Sequence, residues 1–342
     1  MIQRGASSAE VARLAGVSRT TVSFVLNNTP GKVIPEDTRK RVIEAARALD
    51  YQPDVNARRV AKATRRTVGL VIGHSGSAYS DAYILRLLEG IAPVLNKARC
   101  RLVMVPVRRN LPIDPAMALH YGLDGVLVTN LRHAEPDLGA LALTKVPLVA
   151  IGVVADGSIC QIDIDNHRAA CQATAHLLEF GHRDLGMIIH APLAYAAART
   201  RLAGFREALA GAGITVPDSW IQVADFTEES GYRCMQYLLS QARSPTAVFA
   251  GNDAIAWGAM QAIQDANLHI PGDISLVGFD DDFPSRFLDP PLTSVTVPAA
   301  SLGERAARML LDLMSGTVPE VRQITVAVDL TVRESVRRLT TR

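Results

Sequence analysis

The chain has 342 residues, 48% of them hydrophobic and 20% charged, too many for one ordinary domain and too apolar for a disordered segment. No apolar run nears the ~20 residues of a membrane span, the start MIQRGASSAE has no signal-peptide core, and Cys100, Cys160, Cys171 and Cys234 show no paired spacing, which argues for a cytoplasmic protein without disulfide framework or zinc finger. The net charge of +2 averages two unlike parts: residues 1–66 carry 13 Lys and Arg against 6 Asp and Glu, a surplus of +7, and the rest carries 23 against 28, a balance of −5.

A basic head on an acidic body is the charge pattern of a nucleic-acid module joined to a part with another task. In SSAEVARLA (7–15), Ser7 and Glu10 have capping-box spacing, which predicts a helix with Val11, Leu14 and Ala15 inward. Gly16 supplies a turn, and Ser18 can cap a second helix from Arg19 to about Leu26, with Val22, Val25 and Leu26 inward. A third helix, about Glu36 to Leu49, places Val42, Ile43, Ala46 and Leu49 inside and Arg39, Lys40, Arg41 and Arg47 outside. Two short helices joined through a glycine turn are the minimum helix-turn-helix pattern, although any three-helix bundle has the same spacing. Residues 54–63, DVNARRVAKA, then form a basic linker.

Beyond Arg66, short apolar strands alternate with helical stretches. TVGLVIG (67–73), RLVMVPV (101–107), GVLVTN (125–130), PLVAIG (147–152) and QIDIDN (161–166) make one set. LGMIIH (185–190), WIQVADF (220–226), AVFAGND (247–253) and ISLVGFDD (274–282) make another. Runs of Val, Ile, Leu and Ala without alternation indicate strands buried on both faces, hence parallel sheets. Two such sets predict two doubly wound lobes with a cleft between them, ligands binding at the carboxyl ends of the strands.

Enzyme-like patterns fail on spacing. A nucleophile elbow centred on Ser75 needs glycine where Ser77 stands. His167 and Cys171 share a helix face, but His176 lies off it, which favours a buried free cysteine over a metal site. No P-loop or G-x-G-x-x-G follows a strand, so no nucleotide cofactor is expected. Asp163 and Asp165 alternate with Ile162 and Ile164, as at a strand end.

AEVARLAGVSRTTVSFVLNN, TRKRVIEAARALDYQP, NARRV and RRTVGLVIG, in that order, resemble the head of the lactose-repressor/galactose-repressor (LacI/GalR) family of bacterial transcription regulators. The resemblance runs on through IDIDNHRAACQATAHLLEFGHRDLGMI, PTAVFAGNDAIAWGAMQAI, ISLVGFDD and the closing DLTVRESV, covering almost the whole chain. It implies a helix-turn-helix headpiece (1–53), a hinge helix (54–66) and a periplasmic-binding-protein-like α/β body (67–342). The N-lobe would take about 67–163 and 292–321 and the C-lobe about 164–291 and 322–335, with crossovers near Asp163, Leu292 and Val321.

The resemblance places the helix starting at Arg19 in the DNA major groove, with Arg19 and Thr20 at base edges and Ser18, Thr21, Ser23 and Asn27 at phosphates. Phe24 departs from the arginine of several relatives and can touch a thymine methyl or simply pack. In the hinge, Asn56, Ala57 and Arg58 fall at the minor groove, and Val60 replaces the leucine whose pairing wedges open a base step. In the body, Arg201, Asn252 and Asp280 match the family's effector cleft, and Phe226 sits where an aromatic meets the ligand's flat face. The first-strand loop, with Tyr79, Asp81 and Tyr83, departs most and is expected to set ligand specificity.

The expected protein is therefore a cytoplasmic homodimer, not an enzyme and without cofactor or metal. It binds a near-palindromic double-stranded operator and responds to a small ligand, a sugar or sugar derivative. Absence of apolar heptads after DLTVRESV favours a dimer over a tetramer. The competing reading, a sugar-binding or transport receptor, would need an export signal and no basic head.

Overall fold

A computed structural model of the chain describes residues 7–26, 34–49, 66–73, 81–107, 116–132, 144 and 146–339. The chain divides into two units, Met1–Thr64 and Arg65–Arg342.

The first unit contains α1 (Ser8–Ala15), α2 (Arg19–Leu26) and α3 (Glu36–Ala48). The capping box forms as the spacing requires: Glu10 N–H donates to Ser7 Oγ at 3.3 Å, and Ser7 N–H donates to Glu10 Oε2 at 2.7 Å. Gly16, at φ 67°, makes the left-handed turn that starts α2. Val11, Ala12, Ala15, Val22, Val25, Val42, Ala45 and Ala46 form the core. One inward assignment needs correcting. Leu14 is 58% exposed and Ala12 takes its place, because the stripe facing the other helices is 11-12-15 rather than 11-14-15.

The body contains two six-stranded sheets. The first runs β11 (Gln323–Val326), β5 (Cys160–Ile164), β4 (Leu148–Ile151), β3 (Gly125–Thr129), β1 (Thr67–Ile72) and β2 (Arg101–Pro106) in space, all parallel. The second runs β12 (Asp329–Thr331), β10 (Thr293–Thr296), β9 (Ser275–Asp280), β8 (Ala247–Ala250), β6 (Leu185–Ile189) and β7 (Ile221–Val223). Only the pairing of β12 with β10 is antiparallel.

Both faces of the central strands are buried, as apolar runs demand. In the first sheet Leu70, Ile72 and Leu127 pack on one side, and Val71, Val126 and Val128 on the other. On the first sheet α4 (Ala82–Lys97) crosses α10 (Ala299–Met314) at two glycines. A Cβ at Gly90 would meet the Ala300 carbonyl at 1.8 Å, and one at Gly303 the Leu87 carbonyl at 2.2 Å. In the C-lobe, α6 (Asn166–Glu179) packs on α7 (Ala196–Gly211), and α8 (Glu228–Leu239) on α9 (Asp253–Asp265).

The chain passes between lobes after Ile164, after Thr296 and between Val326 and Asp329. The crossings expected near Leu292 and Val321 thus fall later. The reason is that β10 (TSVT) and β11 (QITV), each four residues long, still belong to the sheets being left. The strand expected over 220–226 shortens to β7 behind a 3₁₀ turn at Asp218–Trp220. No described helix is long and apolar enough to cross a membrane.

Candidate functional site

Strand ends from both lobes converge on one cleft of about 700 Å³, its open mouth included. The first lobe contributes Asp81 and Tyr83 from the start of α4, Thr129 to Leu131 after β3, Ile151 to Val153 after β4, and Asp163, Ile164 and Asn166 around the end of β5. The second contributes His190 after β6, Tyr195 to Ala197 and Arg201 of α7, Phe226 beyond β7, Asn252 after β8, Asp280 at the end of β9, and Val297 after β10. Apart from the residues in or next to the starts of α4, α6 and α7, the wall residues lie at or just past the carboxyl end of a strand, where open α/β sheets place ligands.

Arg201 is the organising side chain. It is 7% exposed, lies over the Phe279 ring with Cζ 3.6 Å from the centroid, and donates to Asn166 Oδ1 at 2.9 Å and to the Gly251 carbonyl. Its third nitrogen stands 4.0 Å from Asp280. Burial pushes the arginine's pKa down, while Asp280 and Asp163 oppose that shift. Burial likewise raises Asp280 well above the carboxylate range against the pull of Arg201.

Asp280, Asp281 and Asp282 each face a different arginine. Asp280 faces Arg201, Asp281 binds Arg333 at 2.6 Å, and Asp282 binds Arg86 at 3.1 Å. This fan requires unusual backbone: φ is 109° at Asp280 and 55° at Asp281, a region costing non-glycine residues about 1–3 kcal/mol. Buried Asp253 holds the turn, accepting from Ser294 Oγ and Ser285 Oγ at 2.6 Å each and from Asp282 N–H at 2.8 Å. Burial raises its pKa to about 7.

Phe226 is held at φ 74°, its ring edge-on to those of Tyr195 and His190 at 5.0 and 5.6 Å. Asn252 does two things at once: its Oδ1 caps α9 by accepting from Ile255 N–H at 2.9 Å, and its side chain lines the cleft. Asp81 caps α4 in the same way, accepting from Tyr83 N–H at 3.0 Å. Burial, with Asp163 and Asp280 nearby, holds the Tyr83 hydroxyl protonated.

Of the expected effector residues, Asp81, Tyr83, Arg201, Phe226, Asn252 and Asp280 share this one cavity, and Tyr79 lies outside the described residues. Sequence reasoning missed Thr129, Asn130, Asp163, Asn166, His190 and Tyr195. Among the described residues, buried Thr129 Oγ1 and Asn130 Nδ2 have no hydrogen-bond partner, as expected of atoms that meet a ligand. The available signal was a polar pair closing the apolar run GVLV.

On the head, Ser18, Arg19, Thr20 and Ser23 are exposed, and Thr21 and Phe24 half-buried. Ser18 caps α2, its Oγ accepting from Thr21 N–H at 3.1 Å and lying 2.9 Å from Thr21 Oγ1. Asn27, Asn56, Ala57, Arg58 and Val60 lie outside the described residues.

Residues 9–54 match the family described as bacterial regulatory proteins, lacI family, and residues 174–336 match a periplasmic binding protein-like domain. The chain is 36% identical to the HTH-type transcriptional repressor PurR of Escherichia coli O1:K1 / APEC over 333 residues, covering 96% of both chains. Its fold is similar to that of the transcriptional regulator CelR in complex with cellobiose, with a TM-score of 0.72 and 31% identity over 96% of this chain and 99% of that one. It is also similar to the lac repressor dimer bound to operator and the anti-inducer ONPF, with a TM-score of 0.71 and 26% identity over 98% of this chain and 100% of the other.

Proposed function

The chain belongs to the LacI family of bacterial regulatory proteins, and from that premise we propose that it is a cytoplasmic, dimeric transcriptional repressor whose operator affinity is set by a neutral polyhydroxylated ligand bound between its lobes. The observation that carries this reading is the meeting of Arg201, Asn252, Asp280 and Phe226 in one interlobe cleft. An arginine, an amide and a carboxylate offer a sugar-like ligand a mixture of donors and acceptors, and Phe226 offers an apolar face. The charge balance narrows the ligand further. Arg201, the one arginine among the described lining residues, is already engaged by Asn166, the Gly251 carbonyl and Asp280, which disfavours an anionic ligand.

In this reading Arg19 and Thr20 read base edges, while Ser18, Thr21, Ser23 and Asn27 position the head on phosphates and Phe24 packs beside them. Residues 54–66 are the hinge, with Asn56, Ala57, Arg58 and Val60 toward the minor groove. Exposed Phe283 and Phe287, their rings 5.0 Å apart, give the body apolar surface for self-association. The family relatives are repressors rather than enzymes, and the cleft is read as a sensor rather than a catalytic pocket.

The test is a thermal-shift screen of neutral sugars, sugar phosphates and amino sugars. A neutral sugar at about a hundred times its Kd stabilises the protein by ~2.7 kcal/mol. Arg201→Ala removes that shift. A shift retained in the variant, or produced by sugar phosphates alone, would overturn the assignment.

A further inference from the structure

We propose that His167, Cys171 and Glu207 form a binding site for a divalent transition-metal ion of the zinc class, joining α6 to α7 on their solvent side. His167 and Cys171 stand four residues apart on α6 and therefore share a face. A third ligand comes from the neighbouring helix. Gly204 lets α7 approach closely, since a Cβ there would lie 2.3 Å from the His167 carbonyl and 3.0 Å from Ala170 Cβ. Three residues further on, Glu207 reaches His167, with Oε2 3.3 Å from Nε2. Cys171 Sγ lies 3.9 Å from His167 Nδ1, and one ligand atom from each of the three residues falls within 4.8 Å of the others.

These distances suit a tetrahedral ion. Zinc bonds of ~2.0–2.3 Å put ligand atoms roughly 3.3–3.8 Å apart. The His167–Glu207 edge, measured at Nε2, already has that length. The 3.9 Å sulfur contact is to the other ring nitrogen, Nδ1, so an ion held by one nitrogen requires the half-exposed imidazole to turn, starting from ligand atoms within 4.8 Å of one another. Imidazole, thiolate and carboxylate together select zinc or cobalt over magnesium and calcium, and three protein ligands leave a fourth position for water.

The Cys171 thiol donates to the Gly204 carbonyl at 3.2 Å. Binding replaces that proton, which passes to solvent, with the metal–sulfur bond. His176, the third ligand that sequence spacing offered, packs on Phe180 with ring centroids 4.5 Å apart and takes no part. The ion would fasten the two helices that carry Asn166 and Arg201, whose hydrogen bond forms the floor of the cleft.

The experiment is a Co²⁺ titration of the full chain after chelator treatment and desalting. One equivalent should bind with thiolate-to-cobalt charge-transfer absorption in the near ultraviolet, and Zn²⁺ should abolish it by displacement. Cys171→Ser should lose the absorption, and Glu207→Gln should weaken binding about ten-fold or more. Glu207 is exposed, so its variant keeps the fold and decides the matter if Cys171→Ser does not fold. No charge-transfer absorption, absorption that persists in folded Cys171→Ser through Cys100, Cys160 or Cys234, or unchanged affinity in Glu207→Gln would each overturn the site.

Discussion

Asp163, next to last in β5, is half-buried, with Oδ1 accepting from Ile164 N–H at 2.8 Å and Oδ2 from Asn166 Nδ2 at 3.0 Å. Those bonds and the nearby Arg201 favour the carboxylate, but burial outweighs them and raises the pKa from 3.8 to about 6. The folded chain therefore holds a proton that the unfolded chain releases. Whatever stability this proton confers is complete below pH ~4 and lost as pH rises through ~6. Asp163→Asn removes the titration. Its stability relative to wild type should climb by on the order of 2 kcal/mol between pH ~4.5 and ~6.5 and then level off. Urea unfolding of both proteins across that range measures the difference, and a constant offset would rule the coupling out. Alternation of Asp163 and Asp165 with isoleucines read correctly as a strand end. The cleft role was hidden, because it depends on Asn166 and Arg201 arriving from α6 and α7.

At the scale of elements, legibility followed local determination. The bounds of α1 and α2 could be read because a capping box, a glycine turn and amphipathic spacing act within a few residues. The strands β1 to β4, β6, β8 and β9 announced themselves as apolar runs, and β5 as an alternation of isoleucine with aspartate. By contrast β10, β11 and β12 are three or four residues long, and β11 alternates in exposure, so they exist only through pairing with β9, β5 and β10. α2 shows what an element's two faces can do: Val22 and Val25 anchor it in the head, leaving Arg19, Thr20 and Ser23 exposed together. Because Arg19 contributes nothing to that core, Arg19→Ala should leave thermal stability of the head unchanged. It should weaken operator binding by ~1–3 kcal/mol and relax selectivity at one base position. Binding titrations against a panel of operator variants measure both effects, and a uniform loss across all variants would reduce Arg19 to a phosphate contact.

The whole body is two lobes touching across a cleft, and those touches were illegible in sequence because each joins residues far apart in the chain. Tyr195 Oη donates to the Gly73 carbonyl at 2.9 Å, and Ala196 N–H to the Leu131 carbonyl at 3.2 Å. The strongest bridge is Arg86, on α4 of the first lobe. Its guanidinium donates to the Asp280 carbonyl at 2.6 Å, to Asp282 Oδ1 at 3.1 Å and to the carbonyl of Val297, where the chain crosses between lobes. One side chain thus ties the first lobe to a cleft residue, to the carboxylate fan behind it and to a crossover strand. A ligand that alters lobe closure must work against this tie, which makes Arg86 a positioning residue for the response. Arg86→Ala should free the lobes. The buried Asp282 carboxylate would lose its partner, a change that costs on the order of 3 kcal/mol if the turn cannot relax toward water. Hydrogen–deuterium exchange separates loosening of the lobes from general destabilisation. In the variant, amides at 280–282, 195–197 and 297–299 should exchange faster, while those of β1, β3 and β8 keep wild-type protection. Acceleration spread evenly over both sheets would show that Arg86 only stabilises the fold, and unchanged exchange at 195–197 would show that the bridges open independently.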